Sequence, residues 1–204
     1  MNMDKNLFYN QRRIGLTGGI ASGKSTIANY LEKTKKVIVL DADNYSKEFL
    51  KHGSKSYEKI INHYGTQIID KNSFNKEIKT NALREIIFND ARERNWLENL
   101  IHPLIRKKMI DECNNYRENK ILLLVIPLLF EAKFNDLCTE IWLVKCSKEL
   151  QKKRLIQRDN ISEKDASKII NIQQNHIQKE KNSNVIINNE GDVTIWKEKI
   201  DQLI

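Results

Sequence analysis

Residues 17–28 read TGGIASGKSTIA, and within them Gly18, Gly23, Lys24 and Ser25 stand at the spacing of a phosphate-binding P-loop. Glycine lets the backbone turn so that successive N–H groups face a phosphate. A lysine in the place of Lys24 reaches β- and γ-phosphates, and a hydroxyl in the place of Ser25 can ligate Mg²⁺. Three further clusters carry reactive groups. Asp41 and Asp43 lie in VIVLDAD, and in an extended segment both point to the same side, so spacing leaves their roles open. Either can cap a following helix, and either can accept a hydroxyl proton during phosphoryl transfer. RLIQRD sets Arg154 and Arg158 four apart on one helical face, as a solvated charged surface or as a lid that stabilises phosphoryl charge. His102 and Pro103, followed by Arg106, read as the opening of a helix with His102 near its N-terminus.

These groups need a frame. RRIGLT (12–17) is a short apolar strand entering the glycine loop, and KSTIANYLEKTK (24–35) has Ile27, Tyr30 and Leu31 at helical spacing. Strand, loop and helix in that order are the context a P-loop requires. VIVLDAD (37–43), ILLLVIPLLF (121–130, ending near Pro127), EIWLVKC (140–146) and NVIINNEG (184–191) read as further strands, the last followed by an amphipathic helix. The alternation predicts an α/β fold, a three-layer α/β/α P-loop NTPase with a mainly parallel sheet and a small lid. Ligands then gather at the C-terminal strand ends, where the P-loop, DAD and PLLFE all fall. Residues 44–115 differ: Leu83, Ile86, Ile87, Leu97, Leu100, Ile101, Leu104 and Ile105 mark amphipathic helices. The expected organisation is a core of 1–45 with 116–204, a lid at about 148–175, and a helical acceptor-binding insertion at 46–115.

Composition narrows the class. The chain has 204 residues, 40% of them apolar, which suits one sizeable core. With 2 Pro and 7 Gly, long flexible linkers are not expected. Cys113, Cys138 and Cys146 show no CxxC or metal-ligand spacing, as in a reduced cytosolic protein. The first dozen residues lack the apolar stretch of a signal peptide and read as a frayed tail, and no apolar run is long enough to span a bilayer. The net charge of +8 keeps nucleic acid as a minor alternative, but lysines are scattered and no basic run is interleaved with aromatics. The DxxG and NKxD of a switch GTPase are missing. A small-molecule kinase is the leading class.

Five segments, in order, resemble the dephospho-coenzyme A kinase family: IGLTGGIASGKSTIA (14–28), LDAD (40–43), LREIIFND…WLENLIHPLI (83–105), IPLLFEAKF (126–134) and LQKKRLIQRD (150–159). A weaker match covers Gln173, Lys179 and VIINNEG (185–191). The resemblance implies transfer of phosphate from ATP, with Mg²⁺, to the ribose 3′-hydroxyl of dephospho-coenzyme A, the last step of coenzyme A synthesis. By matching position it implies Asp43 as catalytic base, Lys24 on the phosphates and Arg158 as the lid arginine. Gly19, Ala21, Ser22, Gly23, Lys24, Ser25 and Thr26 would hold ATP, with Ser25 on the metal. His102, Pro103, Arg106 and Leu129 would line the acceptor site. A cytoplasmic monomer or weak homo-oligomer is implied, with a small-molecule substrate and neither nucleic acid nor membrane as partner. Two positions depart from the family pattern. Thr80 or Asn81 stands where a basic residue is usual, with Lys76 and Lys79 nearby, and Asn184 replaces an Asp before the last strand.

Overall fold

The computed structural model describes residues 11–116, 120–172 and 176–204, so the match at Gln173 and most of the N-terminal tail lie outside the described residues. Gln11 is tied down rather than frayed: its carboxamide donates to the carbonyls of Cys113 and Tyr116 at 3.1 and 3.2 Å.

The first strand, β1 (Arg13–Gly18), is buried along its whole length, as a strand covered on both faces must be. It occupies the centre of a five-stranded sheet ordered β2-β3-β1-β4-β5, with β2 at Ile38–Asp41, β3 at Leu122–Val125, β4 at Glu140–Lys145 and β5 at Val185–Asn188. β1 pairs in parallel with β3, Ile14 opposite Leu123, and with β4, Leu16 opposite Trp142; β4 pairs in parallel with β5. The chain runs from β1 outward to β2, returns through β3, and then passes to the other side at β4. Such a reversal opens a crevice at the C-terminal strand ends.

Helix α1 (Lys24–Lys35) follows β1, and α9 (Val193–Leu203) ends the chain. Because side chains alternate along a strand, Ile14, Leu16, Leu123, Val125, Trp142, Val144 and Ile187 turn to one side of the sheet. Ile27 and Leu31 of α1 and Trp196 and Ile200 of α9 pack into the same cluster. Between β4 and β5 lie α6 (Lys148–Asp159), α7 (Glu163–Ile172) and α8 (His176–Lys181). Leu155, Ala166 and Ile170 form a second small cluster there, and Ile20 and Ala21 of the glycine loop pack against it.

Two compact units result, one of residues up to Leu40 with Cys113–Ile204, the other Asp41–Glu112. The second is helical: α2 (Ala42–Phe49), α3 (Lys55–Tyr64), α4 (Thr80–Asn89) and most of α5 (Ala91–Asn114). Ser54 caps α3 by accepting from the Tyr57 N–H at 3.0 Å. Tyr57, Ile60, Tyr64, Leu83, Ile101, Ile105 and Met109 are buried within this unit. His63 stacks on Trp96 at 3.7 Å between ring centroids, with its Nε2 2.7 Å from the Glu93 carboxylate.

Two readings from spacing are corrected. Pro103 does not open a helix; it sits inside α5, exposed, with His102 mid-helix. The missing N–H and ring clash of an internal proline cost about 3 kcal/mol, but Ile101, Ile105 and Met109 form a buried row at i, i+4 spacing that holds the helix through that point. The DAD segment is not extended throughout. β2 ends at Asp41 and α2 begins at Ala42, so the two carboxylates do not share a strand face.

The Asn184 departure has a plain structural meaning. The Ile141 N–H donates to Asn184 Oδ1 at 2.7 Å, and the Asn184 N–H donates to the Ile141 carbonyl at 2.8 Å, which starts the β4–β5 ladder. Only an acceptor oxygen is required there, and aspartate has one. Asn184→Asp should therefore leave the urea midpoint nearly unchanged, whereas Asn184→Ala should lower stability by about 1 kcal/mol, the typical net worth of one such bond.

Candidate active site

The glycine loop joins β1 to α1 through residues 19–23. Gly23 is the N-cap of α1 at φ 98°, a left-handed conformation open to glycine, and no side chain caps the helix. A Cβ on Gly23 would also overlap Asn189 Nδ2, and one on Gly18 would overlap the Val144 carbonyl oxygen. The first-turn N–H groups of a helix have no intrahelical partner and carry the positive end of its dipole. No side chain caps the helix at Gly23, at the C-terminal end of β1.

Lys24 Nζ donates to the carbonyls of Gly18 and Gly19, each at 2.9 Å, so the ammonium spans the loop from helix to strand. Ser22 is fully buried, and its N–H closes a turn on the Gly19 carbonyl at 3.2 Å. Ser25 and Thr26 are exposed at the start of α1. Among the described residues, no three His, Cys, Asp or Glu side chains gather into a metal site.

The two arginines of RLIQRD differ. Arg158 is exposed and clasps its neighbour Asp159 through Nε at 2.7 Å and Nη2 at 3.0 Å. Arg154 turns to the loop instead, donating to the Ser22 carbonyl at 3.4 Å and to the Asn189 carbonyl at 3.2 Å. Burial pushes the Cys146 thiol above its usual range against the pull of Arg154, so this neighbour of the loop stays neutral near pH 7.

The aspartates separate in the same manner. Asp41 is the N-cap of α2 and accepts from the Asp43 N–H at 2.8 Å. Asp43 lies exposed in the first helical turn. On α5, His102 and Arg106 lie on one face of the helix, half-buried. Burial pulls the His102 imidazole below its usual range, against the opposing effect of Glu98, which favours a neutral ring near pH 7. Leu129, expected among acceptor contacts, is fully buried with its Cδ1 packed over Gly15. Its side chain therefore supports the turn after β3 from beneath, because Gly15 leaves the space it fills. Thr80 and Asn81 open α4, and Lys76 and Lys79 are exposed close before them.

Spacing missed a buried ion pair: Lys179 Nζ on α8, its side chain 2% exposed, lies 2.7 Å from Glu131 Oε1 in the turn after β3. It missed Asn189 as well, buried just past β5 with its Nδ2 donating to the Ser22 carbonyl at 2.8 Å. The sequence signal was family resemblance alone: Glu131 lies in PLLFE, Asn189 in VIINNEG, and Lys179 in the weaker match.

Over residues 12–194 the sequence matches the profile of the dephospho-CoA kinases. A dephospho-CoA kinase of Prochlorococcus marinus subsp. pastoris (strain CCMP1986 / NIES-2087 / MED4) is 53% identical over 204 residues, covering 100% of both chains. The solved dephospho-CoA kinase from Campylobacter jejuni superposes with a TM-score of 0.67 at 28% identity, covering 94% of each chain. A solved Thermus thermophilus protein shares the fold with a TM-score of 0.78 at 24% identity, covering 95% of this chain and 96% of its own.

Removing one partner of a buried ion pair strands the other, at a cost of about 3 kcal/mol. Lys179→Met should lower stability by about that much, and Lys179→Met combined with Glu131→Leu should recover most of it. Urea denaturation of the two variants measures the difference.

Proposed function

This chain belongs to the dephospho-CoA kinase family, which catalyses the final, ATP-dependent step of coenzyme A biosynthesis, and on that premise we propose how its residues divide the work. The donor half is the loop from Gly19 to Thr26. Within Ala21–Thr26, the amides not engaged by the Gly19 and Gly23 carbonyls, together with the Lys24 ammonium, hold the β- and γ-phosphates and neutralise charge on the transferring group. What supports this is the uncapped, left-handed entry into α1 at Gly23, a conformation suited to an anion.

Ser25 fits Mg²⁺, with its exposed hydroxyl at the second position of α1. When bound, the ion would offset charge between the phosphates.

The acceptor half is the helical unit. Asp43 is the base that orients and deprotonates the ribose 3′-hydroxyl, while Asp41 is committed to its helix cap. Supporting this division is Asp43's exposure in the first turn of α2. His102, Pro103 and Arg106 line the acceptor site, with Lys76 and Lys79 in place of the usual basic residue before α4. Arg158 closes on the γ-phosphoryl group when its bond to Asp159 is exchanged. No helix among the described residues is long and apolar enough to cross a membrane.

A positioned base contributes about 10²- to 10⁴-fold to turnover. Asp43→Asn should therefore lower kcat by about that factor and leave ATP affinity within about twofold, as read by ADP release and calorimetry. Lys24→Ala should reduce both together. With ATP and Mg²⁺, dephospho-CoA should stimulate ADP release where nucleoside monophosphates do not; equal or better stimulation by a monophosphate would sink the acceptor assignment.

A further inference from the structure

Asn189 joins three segments that are remote in sequence. Its N–H donates to the carbonyl of Lys145, the last residue of β4, at 2.8 Å. Its carbonyl accepts from Arg154 Nη2 of α6 at 3.2 Å. Its Nδ2 donates to the Ser22 carbonyl at 2.8 Å, where Arg154 Nη1 also reaches at 3.4 Å. The first of these bonds, with burial of the residue, fixes the side chain's root; only the third acts on the glycine loop.

The Ser22–Gly23 peptide is trans, as are all described peptide bonds. In a planar trans peptide the C=O and N–H point in opposite directions. A donor clamped on the Ser22 oxygen therefore fixes the Gly23 N–H on the far side of the peptide, away from Asn189. Gly23 has no Cβ, so Asn189 Nδ2 can approach the peptide closely enough to hold it. We propose that Asn189 is a positioning residue for the phosphate loop: its carboxamide locks the Ser22–Gly23 peptide so that the Gly23 N–H faces the phosphates of ATP. Arg154 shares that carbonyl and links the same peptide to α6. This rests on the loop being the ATP site, as proposed above.

The test uses the full-length enzyme and reads ATP affinity by calorimetry, KM for ATP and for dephospho-CoA, kcat, and the melting temperature. Wild type and Lys24→Ala come first, because an ATP affinity untouched by Lys24→Ala would overturn the reading of the loop itself. Asn189→Ala is expected to weaken ATP binding about tenfold, the worth of one lost bond of this kind. KM for dephospho-CoA should stay within about twofold and the melting temperature within a few degrees. Asn189→Asp keeps the size but sets a carboxylate oxygen against the Ser22 carbonyl, and should weaken ATP binding further than alanine does. Combined with Arg154→Ala, the effects on ATP affinity should be non-additive, since both residues hold one oxygen. Wild-type ATP affinity in both Asn189 variants, or strict additivity with Arg154→Ala, would overturn the proposal. So would a loss of affinity that appears only in step with a collapse of melting temperature, which would assign Asn189 to stability alone.

Discussion

Between Gly18 and Lys24 the chain must leave a buried strand, reverse, and start a helix. The core unit is organised around that requirement. Val144 and Asn189 stand so close that side chains at Gly18 and Gly23 would not fit. The tip, Ile20 and Ala21, is gripped by the cluster between α6 and α7. Carbonyls left by the turn are also taken up, those of Gly18 and Gly19 by Lys24 and that of Ser22 by Asn189 and Arg154. A loop with so few apolar side chains cannot hold its shape by packing alone, so polar contacts from three other segments hold it.

A recurring economy runs through the motifs. Where two like residues stand close together, one is committed to structure while its twin is more exposed. Asp41 caps α2 and Asp43 lies in its exposed first turn. Arg154 binds the loop and Arg158 clasps a surface neighbour. The committed twin holds the backbone in place beside the more exposed one.

This pairing also explains which parts of the site were legible in the sequence. The strands, the P-loop and α1 follow from apolar periodicity and glycine spacing, both local signals. Asp41 and Asp43 were not separable, because the two-residue repeat of a strand and the capping geometry of a helix meet within DAD. Arg154 and Arg158 share a helix face, so periodicity treats them alike; only the proximity of Ser22, 132 residues away, distinguishes them. Pro103 misled because its rule is local, whereas the buried row of Ile101, Ile105 and Met109 that overrides it is tertiary. The Lys179–Glu131 pair and the contact of Asn189 with Ser22 likewise join residues remote in the chain, and no window of sequence encodes them.

The central position of β1 has a consequence for how the protein is made. Its first partner in the sheet is Leu122, and its second strand begins at Glu140. At roughly 5–20 residues per second of synthesis, an apolar strand at the front of the nascent chain waits on the order of ten seconds for anything to pair with. During that interval it is an unsatisfied edge, the kind of segment that holding chaperones recognise. The loop it carries cannot take its final shape until Asn189, near the end of the chain, has left the ribosome. The loop between β1 and α1 is encoded early and completed late.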